Sequence, residues 1–332
     1  MNNVTIAVLD GGYASYAFER KYFESQGYQF TVFEGDRKDI AGRIQLAKRA
    51  AGILVRWTVV NNSFLNHLPD LKAVVRYGTG YDNLDLRALE QKNVRVANVQ
   101  SYANHAVSDH ALMMLMACLR LLPQGQGRFP DQFTKPPSLD IWEMKDLTVG
   151  IIGLGRIGGT FCQKVKGLVH KVMAVDPYIS EERFNILGAE PCSINKLLDE
   201  CDAISLHCNL TEETTRILDE NTFNKMKKRP IIINTSRGPV LDHHALMDAL
   251  CKNQVHSAGL DVYPEEPPSE DLNDLLSHSR VIATGHYAWY SEESAVELQR
   301  RAARNMIGLL CGDPVEDELF YNRLNQKRST GV

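Results

Sequence analysis

Arg237, Glu266 and His286 each follow a short apolar run, Ile231–Asn234, Ser257–Leu260 and Val281–Ala283 respectively. Such runs, separated by helical patterns, predict parallel strands, whose carboxyl ends share one edge of a sheet. The three side chains are therefore expected to converge. Their types suit reduction of a 2-keto acid. A guanidinium holds a carboxylate and polarises the neighbouring carbonyl oxygen. Once a hydride reaches the carbonyl carbon, the oxygen needs a proton, and histidine supplies one near neutral pH. An acid beside the histidine favours the imidazolium and fixes the ring. Taken singly, each residue also has a structural reading. Arg237 is then a cap or ion-pair partner, and Glu266 a solvated loop acid beside Glu265. His286 is then one more structural histidine, as His105, His110, His243, His244 and His256 are read to be. No His/Cys/Asp cluster has convincing ligand spacing, so no metal is expected.

The hydride source is legible upstream. Thr148-Val-Gly-Ile-Ile152 reads as a buried strand and runs straight into Gly153-x-Gly155-x-x-Gly158. A helical pattern follows, then a second strand, Lys171–Val175, ending at Asp176. Gly153 permits the tight turn, Gly155 lets a pyrophosphate approach the backbone, and Gly158 lets the helix pack closely on the strand. A carboxylate at Asp176 accepts hydrogen bonds from ribose hydroxyls and repels a 2′-phosphate, which favours NAD over NADP. A Gly-x-Gly-x-x-Gly alone is a weak signal. The whole strand–turn–helix–strand–acid series is a much more specific one.

The surrounding elements alternate. In the first hundred residues Val4–Leu9, Gly52–Val55, Ala73–Val75 and Val94–Ala97 read as strands with helical stretches between them. Residues 103–122 read as a long helix ending at Pro123, followed by a Gly-, Pro- and Gln-rich loop to about Pro137. Further strands are expected at Val149–Ile152, Val172–Val175 and Ala203–Leu206, besides the three that precede the reactive residues. Glu292–Leu310 reads as an amphipathic helix followed by a polar tail. The predicted class is α/β, with two Rossmann-like or flavodoxin-like domains built on doubly wound parallel sheets. Residues 101–288 are expected to form the NAD-binding domain. Residues 1–100 with 289–332 are expected to form a discontinuous substrate domain, with the catalytic cleft between the two.

Composition narrows the partners. The chain has 332 residues, 44% hydrophobic and 23% charged, and a net charge of −4, which gives no electrostatic case for nucleic acid or membrane binding. No apolar run spans a bilayer. The first residues enter a strand-like run without a basic n-region, so a cytoplasmic protein is expected. The seven cysteines are scattered without a Cys-x-x-Cys and read as reduced core thiols.

At the level of motifs the chain resembles the D-isomer-specific 2-hydroxyacid dehydrogenase family over nearly its whole length. The resemblance rests on Val75-Arg-Tyr-Gly-Thr-Gly-Tyr-Asp-Asn-Leu-Asp85, Val107-Ser-Asp-His-Ala-Leu112 and the Gly153–Gly158 turn. It rests equally on Asn234-Thr-Ser-Arg-Gly238, Gly259-Leu-Asp-Val-Tyr-Pro-Glu-Glu-Pro267 and Gly285-His-Tyr-Ala-Trp289. The last of these looks most like the branch containing C-terminal-binding-protein co-repressors. The resemblance implies that Arg237 binds the substrate and polarises its carbonyl, that His286 donates and accepts the proton, and that Glu266 supports His286. It implies that the loop Tyr77, Gly78, Thr79 and Gly80 holds the substrate carboxylate through backbone N–H groups, with Arg76 as a second carboxylate-binding arginine. Cofactor contacts are implied at Thr79, Val107, Gly153, Gly155, Arg156, Ile157, Gly158 and Asp176. They are also implied at His207, Cys208, Asn209, Thr214, Thr235, Ser236, Asp261, His286 and Ala288. A homodimer, built largely through the nucleotide domain and the helix near 103–122, is implied as well.

Two positions depart from the family pattern. Gly285 stands where proline commonly precedes the catalytic histidine, so a more mobile or differently placed His286 loop is expected. Gln100 stands where proline is common at the presumed hinge. Trp289 reads equally as a wall of the substrate site, favouring a bulkier or less polar side chain, and as packing. The leading reading is an NAD-dependent reductase of a small 2-keto acid with small-molecule partners. The alternative is a dinucleotide-sensing, protein-binding scaffold like the co-repressors. The absence of a long disordered tail argues against the latter. A formate dehydrogenase is disfavoured because those enzymes carry glutamine where Glu266 stands.

Overall fold

The computed structural model describes residues 4–125 and 140–321. The expected Gly/Pro/Gln-rich loop falls largely, and the polar tail mostly, outside them. The chain divides into two compact units. One comprises the residues up to Tyr102 together with those from Ser291 onward, and the other runs from Ala103 to Tyr290.

The first unit is a five-stranded parallel sheet. Its strands are β1 (Thr5–Val8), β2 (Gln29–Val32), β3 (Ala50–Val55), β4 (Ala73–Arg76) and β5 (Arg95–Ala97), in the order β2-β1-β3-β4-β5. Strand β3 is buried at every position, as a central strand covered on both faces must be. Strand β2 has no counterpart among the expected strands. It lies at the sheet edge with only Phe30 fully buried, so its sequence carries no continuous apolar run. The helix Glu292–Cys311 belongs to this unit. Ser291 caps it by accepting from the Ser294 N–H at 3.0 Å, and Gly312 ends it at φ 84° in the left-handed region. The Gln100 segment is tied down here: its carbonyl accepts from Arg301 at 2.6 Å, and Arg301 pairs with Asp317.

The second unit is a seven-stranded parallel sheet. Its strands are β6 (Thr148–Ile152), β7 (Lys171–Val175), β8 (Glu190–Pro191), β9 (Ala203–Leu206), β10 (Ile231–Asn234), β11 (Ser257–Leu260) and β12 (Val281–Ala283). The order is β12-β11-β10-β9-β6-β7-β8, so the chain reverses direction across the sheet between β6 and β9. One hydrophobic cluster contains Leu197, Phe223, Leu246 and Leu250, and another contains Leu115, Phe161, Phe184 and Leu187. Both take residues from the same strands, which is the doubly wound arrangement. The helix Asn104–Leu119 packs on β10, β11 and the helix Arg156–Val165. It stops short of the expected Pro123, because Arg120 leaves helical geometry and the buried Leu121 takes a positive φ of 50°. Pro123 instead sits inside a separate single turn, Leu122–Gly125. No helix among the described residues is long and apolar enough to cross a membrane. All seven cysteines are free, but the core-thiol expectation holds only in part. Cys118, Cys162 and Cys201 are buried, Cys192 and Cys208 half-buried, and Cys251 and Cys311 exposed.

Candidate active site

The Gly153–Gly158 turn leaves β6 where the sheet changes direction, the place where an open parallel sheet forms a ligand crevice. Two of its glycines tolerate no side chain. Gly153 has φ 90°, and a Cβ on Gly158 would lie 2.0 Å from the Gly153 carbonyl oxygen. At Gly155, by contrast, a Cβ would meet no atom within 4 Å. Gly155 is also the N-cap of the helix Arg156–Val165, and no side chain caps that terminus. Its N–H groups are thus left for another acceptor. Asp176, just past β7, accepts from Leu154 N–H at 2.8 Å through Oδ2 and from Tyr178 N–H at 3.0 Å through Oδ1. These bonds aim its carboxylate from the base of the turn and leave lone pairs for further donors.

The neighbouring strand ends add polar groups. After β9, His207 is half-buried, bonds Ser205 at 2.9 Å through Nε2, and has an enclosed Nδ1 without a partner. Burial pushes its imidazole down to about 3, so it is neutral in the folded protein. Between about pH 6.5 and pH 3 the unfolded chain takes up a proton that the folded His207 refuses, so stability falls as pH falls through that window. Melting of the cofactor-free protein from neutral to about pH 5 is therefore expected to show a steeper loss for the wild type than for His207→Gln; parallel slopes would remove this cause. Cys208 follows, its thiol pushed up to about 12 by burial. Asn209 and Thr214 close a turn in which Thr214 Oγ1 donates to the Asn209 carbonyl at 2.6 Å. After β10, Thr235 Oγ1 is buried without a hydrogen-bond partner.

Asn234 shapes the next turn. Its Oδ1 accepts from the Ser236 N–H and hydroxyl, both at 3.0 Å, and its Nδ2 donates to the Arg237 carbonyl at 3.0 Å. Arg237 Nη1 donates to the Ser236 carbonyl at 2.8 Å. A Cβ on Gly238 would lie 1.9 Å from the Tyr263 carbonyl carbon, so only glycine lets the Arg237 turn approach the loop that carries Glu266 this closely.

The structure brings Glu266 and His286 together. His286 Nδ1 lies 2.6 Å from Glu266 Oε2, and Oε1 accepts from Tyr263 N–H at 3.3 Å. Burial acts to raise the Glu266 carboxyl, but the His286 bond and charge, the Tyr263 N–H and the Arg237 charge outweigh it and hold it below its ordinary range. Glu266 is therefore ionised at neutral pH. His286 has φ 54°, a left-handed conformation unusual for a side-chain-bearing residue. The Trp289 indole N–H donates to the His286 carbonyl at 3.1 Å, a tie that neither sequence-level reading of Trp289 anticipates.

The loop expected to be mobile at Gly285 is tied on both sides. Asp261 is almost wholly buried, and both its oxygens are engaged. Oδ1 accepts from Thr284 Oγ1 at 2.5 Å and Tyr287 N–H at 3.1 Å, and Oδ2 accepts from Ala288 N–H at 3.0 Å. The Tyr263 hydroxyl donates to the Thr284 carbonyl at 2.8 Å, and His110 Nε2 lies 3.0 Å from Thr284 Oγ1. Asp261 thus has a structural task beyond the cofactor contact that the resemblance implies. Thr284, Tyr263 and His110 are the participants that sequence reasoning missed. Of these, His110 and Tyr263 carried a signal, their places in the Val107–Leu112 and Gly259–Pro267 motifs.

In the first unit, Arg76 Nη1 donates to the Tyr77 carbonyl at 2.8 Å. The Tyr77 side chain is buried and donates to Glu19 at 3.1 Å, so this residue offers its backbone and not its ring. Gly78 has φ 124°, and its carbonyl accepts from Val99 N–H. Thr79 donates to the Val99 carbonyl at 3.2 Å and accepts at its own carbonyl from Asn98 at 2.6 Å. The 77–80 loop is therefore pinned to residues 98–99.

Residues 112–288 match the family model described as D-isomer specific 2-hydroxyacid dehydrogenase, NAD binding domain. The chain is 30% identical to the D-lactate dehydrogenase of Escherichia coli K12 over 327 residues, covering 92% of this chain and 98% of that protein. The chain belongs to the D-isomer specific 2-hydroxyacid dehydrogenase family. It is also 30% identical to a D-3-phosphoglycerate dehydrogenase of Archaeoglobus fulgidus over 296 residues, covering 89% of this chain and 56% of that protein. The chain thus spans about half the length of the phosphoglycerate dehydrogenases it matches. A D-lactate dehydrogenase of Aquifex aeolicus, complexed with NAD and lactic acid, superposes with a TM-score of 0.84 at 25% identity, covering 93% of this chain and 96% of that one. These relatives bear the names of enzymes and lend no support to the scaffold alternative. The second unit contains the family's NAD-binding domain. Its residues fit the cofactor: the open backbone at Gly155, the uncapped helix N-terminus, the ionisable Asp176 and the orphaned Thr235 hydroxyl are all polar groups that a dinucleotide can satisfy.

Proposed function

We propose that this member of the family is an NAD-dependent D-2-hydroxyacid dehydrogenase interconverting a small 2-keto acid and its D-2-hydroxy acid. The observation that carries the reading is the 2.6 Å bond between His286 Nδ1 and Glu266, which leaves Nε2 for a substrate oxygen. Bound NADH supplies the hydride. Arg237 takes the substrate carboxylate and draws electron density onto the carbonyl oxygen. His286 gives the proton from Nε2 to that oxygen as the hydride reaches the carbon, converting C=O to CH–OH. In the oxidative direction the same nitrogen takes the proton back. Ionised Glu266 stabilises the imidazolium and holds the ring. Arg76 and the backbone of Tyr77, Gly78, Thr79 and Gly80 are the proposed partners of the substrate carboxylate, with Trp289 beside the substrate's side chain. Thr79, Val107, Arg156, Ile157, Asp176 and the residues past β9, β10, β11 and β12 are the proposed cofactor contacts. The exposed Met113, Met116 and Leu122 support a homodimer covering the helix Asn104–Leu119, and the free thiols suit a reducing cytoplasm.

The test follows NADH absorbance with purified protein against glyoxylate, hydroxypyruvate, pyruvate and branched, aromatic and anionic-tailed 2-keto acids, with NADPH as control. Rapid turnover of one acid with NADH is expected. NADH binding with no selective turnover of any acid would overturn the reading. Asp176→Asn keeps an acceptor for Leu154 N–H but removes the charge. It is expected to lower the ratio of NADH to NADPH efficiency by about tenfold or more. An unchanged ratio would deny Asp176 that task.

A further inference from the structure

His286 sits in a left-handed backbone conformation that a side-chain-bearing residue does not adopt freely, so something must hold it there. Gly285 does not, since a Cβ there would touch nothing within 4 Å. The restraint comes from either side, and its parts interlock. The Thr284 hydroxyl has one proton and gives it to Asp261 at 2.5 Å. The contact with His110 at 3.0 Å is then made with Thr284 as acceptor, which fixes His110 as the tautomer carrying its proton on Nε2. His110 also stands edge-on to the Tyr287 ring at 5.2 Å, directly beyond His286. Burial lowers the His110 imidazole from its ordinary value, so it works here as a neutral donor. It projects from the helix Asn104–Leu119, which is anchored on β10 and β11. The chain from His110 to Thr284 to Asp261 to the Tyr287 and Ala288 N–H groups thus ties the histidine loop to the sheet core.

We propose that His110 is a positioning residue for His286, acting through Thr284 and Asp261 as a clamp that supplies the restraint Gly285 lacks. The role assigned to His286 rests on the reading above, but the clamp is measurable without it. His110→Leu, His110→Gln, Thr284→Val and the double variant His110→Leu/Thr284→Val test it. Gln places an amide N–H near the position of Nε2, and Val keeps the shape of Thr. The first readout is hydrogen exchange of the Tyr287 and Ala288 amides in the NADH-bound protein. His110→Leu and Thr284→Val are expected to speed it at least tenfold, and His110→Gln to restore most of the protection. The second is steady-state reduction of the fastest acid of the panel. Both Leu and Val variants are expected to lose about ten- to a hundredfold in kcat, with NADH affinity within twofold of wild type and the double variant little worse than either single. Wild-type exchange in both single variants overturns the clamp. So does a kcat loss matched by an equal loss of NADH affinity, or single losses that simply multiply. If His110→Leu fails to fold, exchange in Thr284→Val and His110→Gln decides. A wild-type protein that reduces no acid sinks the proposed activity, and the exchange readout still accepts or rejects the clamp.

Discussion

Replacing His286 with alanine is expected to lower kcat for keto-acid reduction by about 10²- to 10⁴-fold, the range for loss of a positioned acid, while NADH affinity changes by less than about threefold. The split follows from the geometry. Nδ1 is engaged by Glu266, so the ring's chemical contribution lies at Nε2. The groups that fit the dinucleotide, the Gly153–Gly158 turn, Asp176 and Thr235, lie on other loops and stay in place when the ring is removed. Steady-state kinetics with a fluorescence titration of NADH measures both quantities. A collapse of NADH affinity with turnover of the bound cofactor preserved would make His286 a binding residue. Glu266→Gln serves as a companion. It keeps the side chain's size while removing the charge beside His286 Nδ1, and is expected to lower kcat with NADH affinity unchanged.

Substituting Arg237 is expected to cut kcat/KM for reduction by on the order of 10³-fold for Ala and on the order of 10²-fold for Lys. A lysine keeps the charge but loses the planar fork that meets a carboxylate with two parallel bonds. The Arg237 turn is held by its backbone, through Asn234 to the Arg237 carbonyl and through the close approach of Gly238 to Tyr263. Neither substitution should therefore disturb the fold. The loss should appear in KM as well as kcat, because Arg237 is assigned both substrate binding and polarisation of the carbonyl. Kinetics across the keto-acid panel checks it. An Arg237→Ala protein within tenfold of wild type would reassign the residue to a structural task, beginning with its charge effect on Glu266.

Much of the architecture is written in short windows of sequence. Strands β9, β10 and β11 occupy the expected residues, because a strand covered on both faces must be apolar at nearly every position. The dinucleotide turn is equally local: three glycines between a strand and a helix, Gly153 required by its φ, Gly158 by a close approach, and Gly155 leaving the backbone open. Legibility fails where burial is one-sided or where the backbone departs from its neighbours. Strand β2 escapes notice because it is a half-covered edge, and the long helix ends early because Leu121 is buried in a left-handed conformation that its residue type does not announce.

The site divides the same way. That a histidine, an acid and an arginine would follow successive strands of one sheet is determined by the sequence alone, since strand periodicity and parallel topology put their loops on one edge. That Glu266 is the acid bonded to His286, and not its neighbour Glu265, follows in sequence only from the family motif; in the fold it is a distance of 2.6 Å. The restraint on the histidine loop is decided by tertiary structure entirely. Asp261 reaches Thr284 across 23 residues and His110 reaches it across 174. A hydrogen bond depends on position to within a few tenths of an ångström, and only the packed chain, not the spacing of residues along it, determines position that finely.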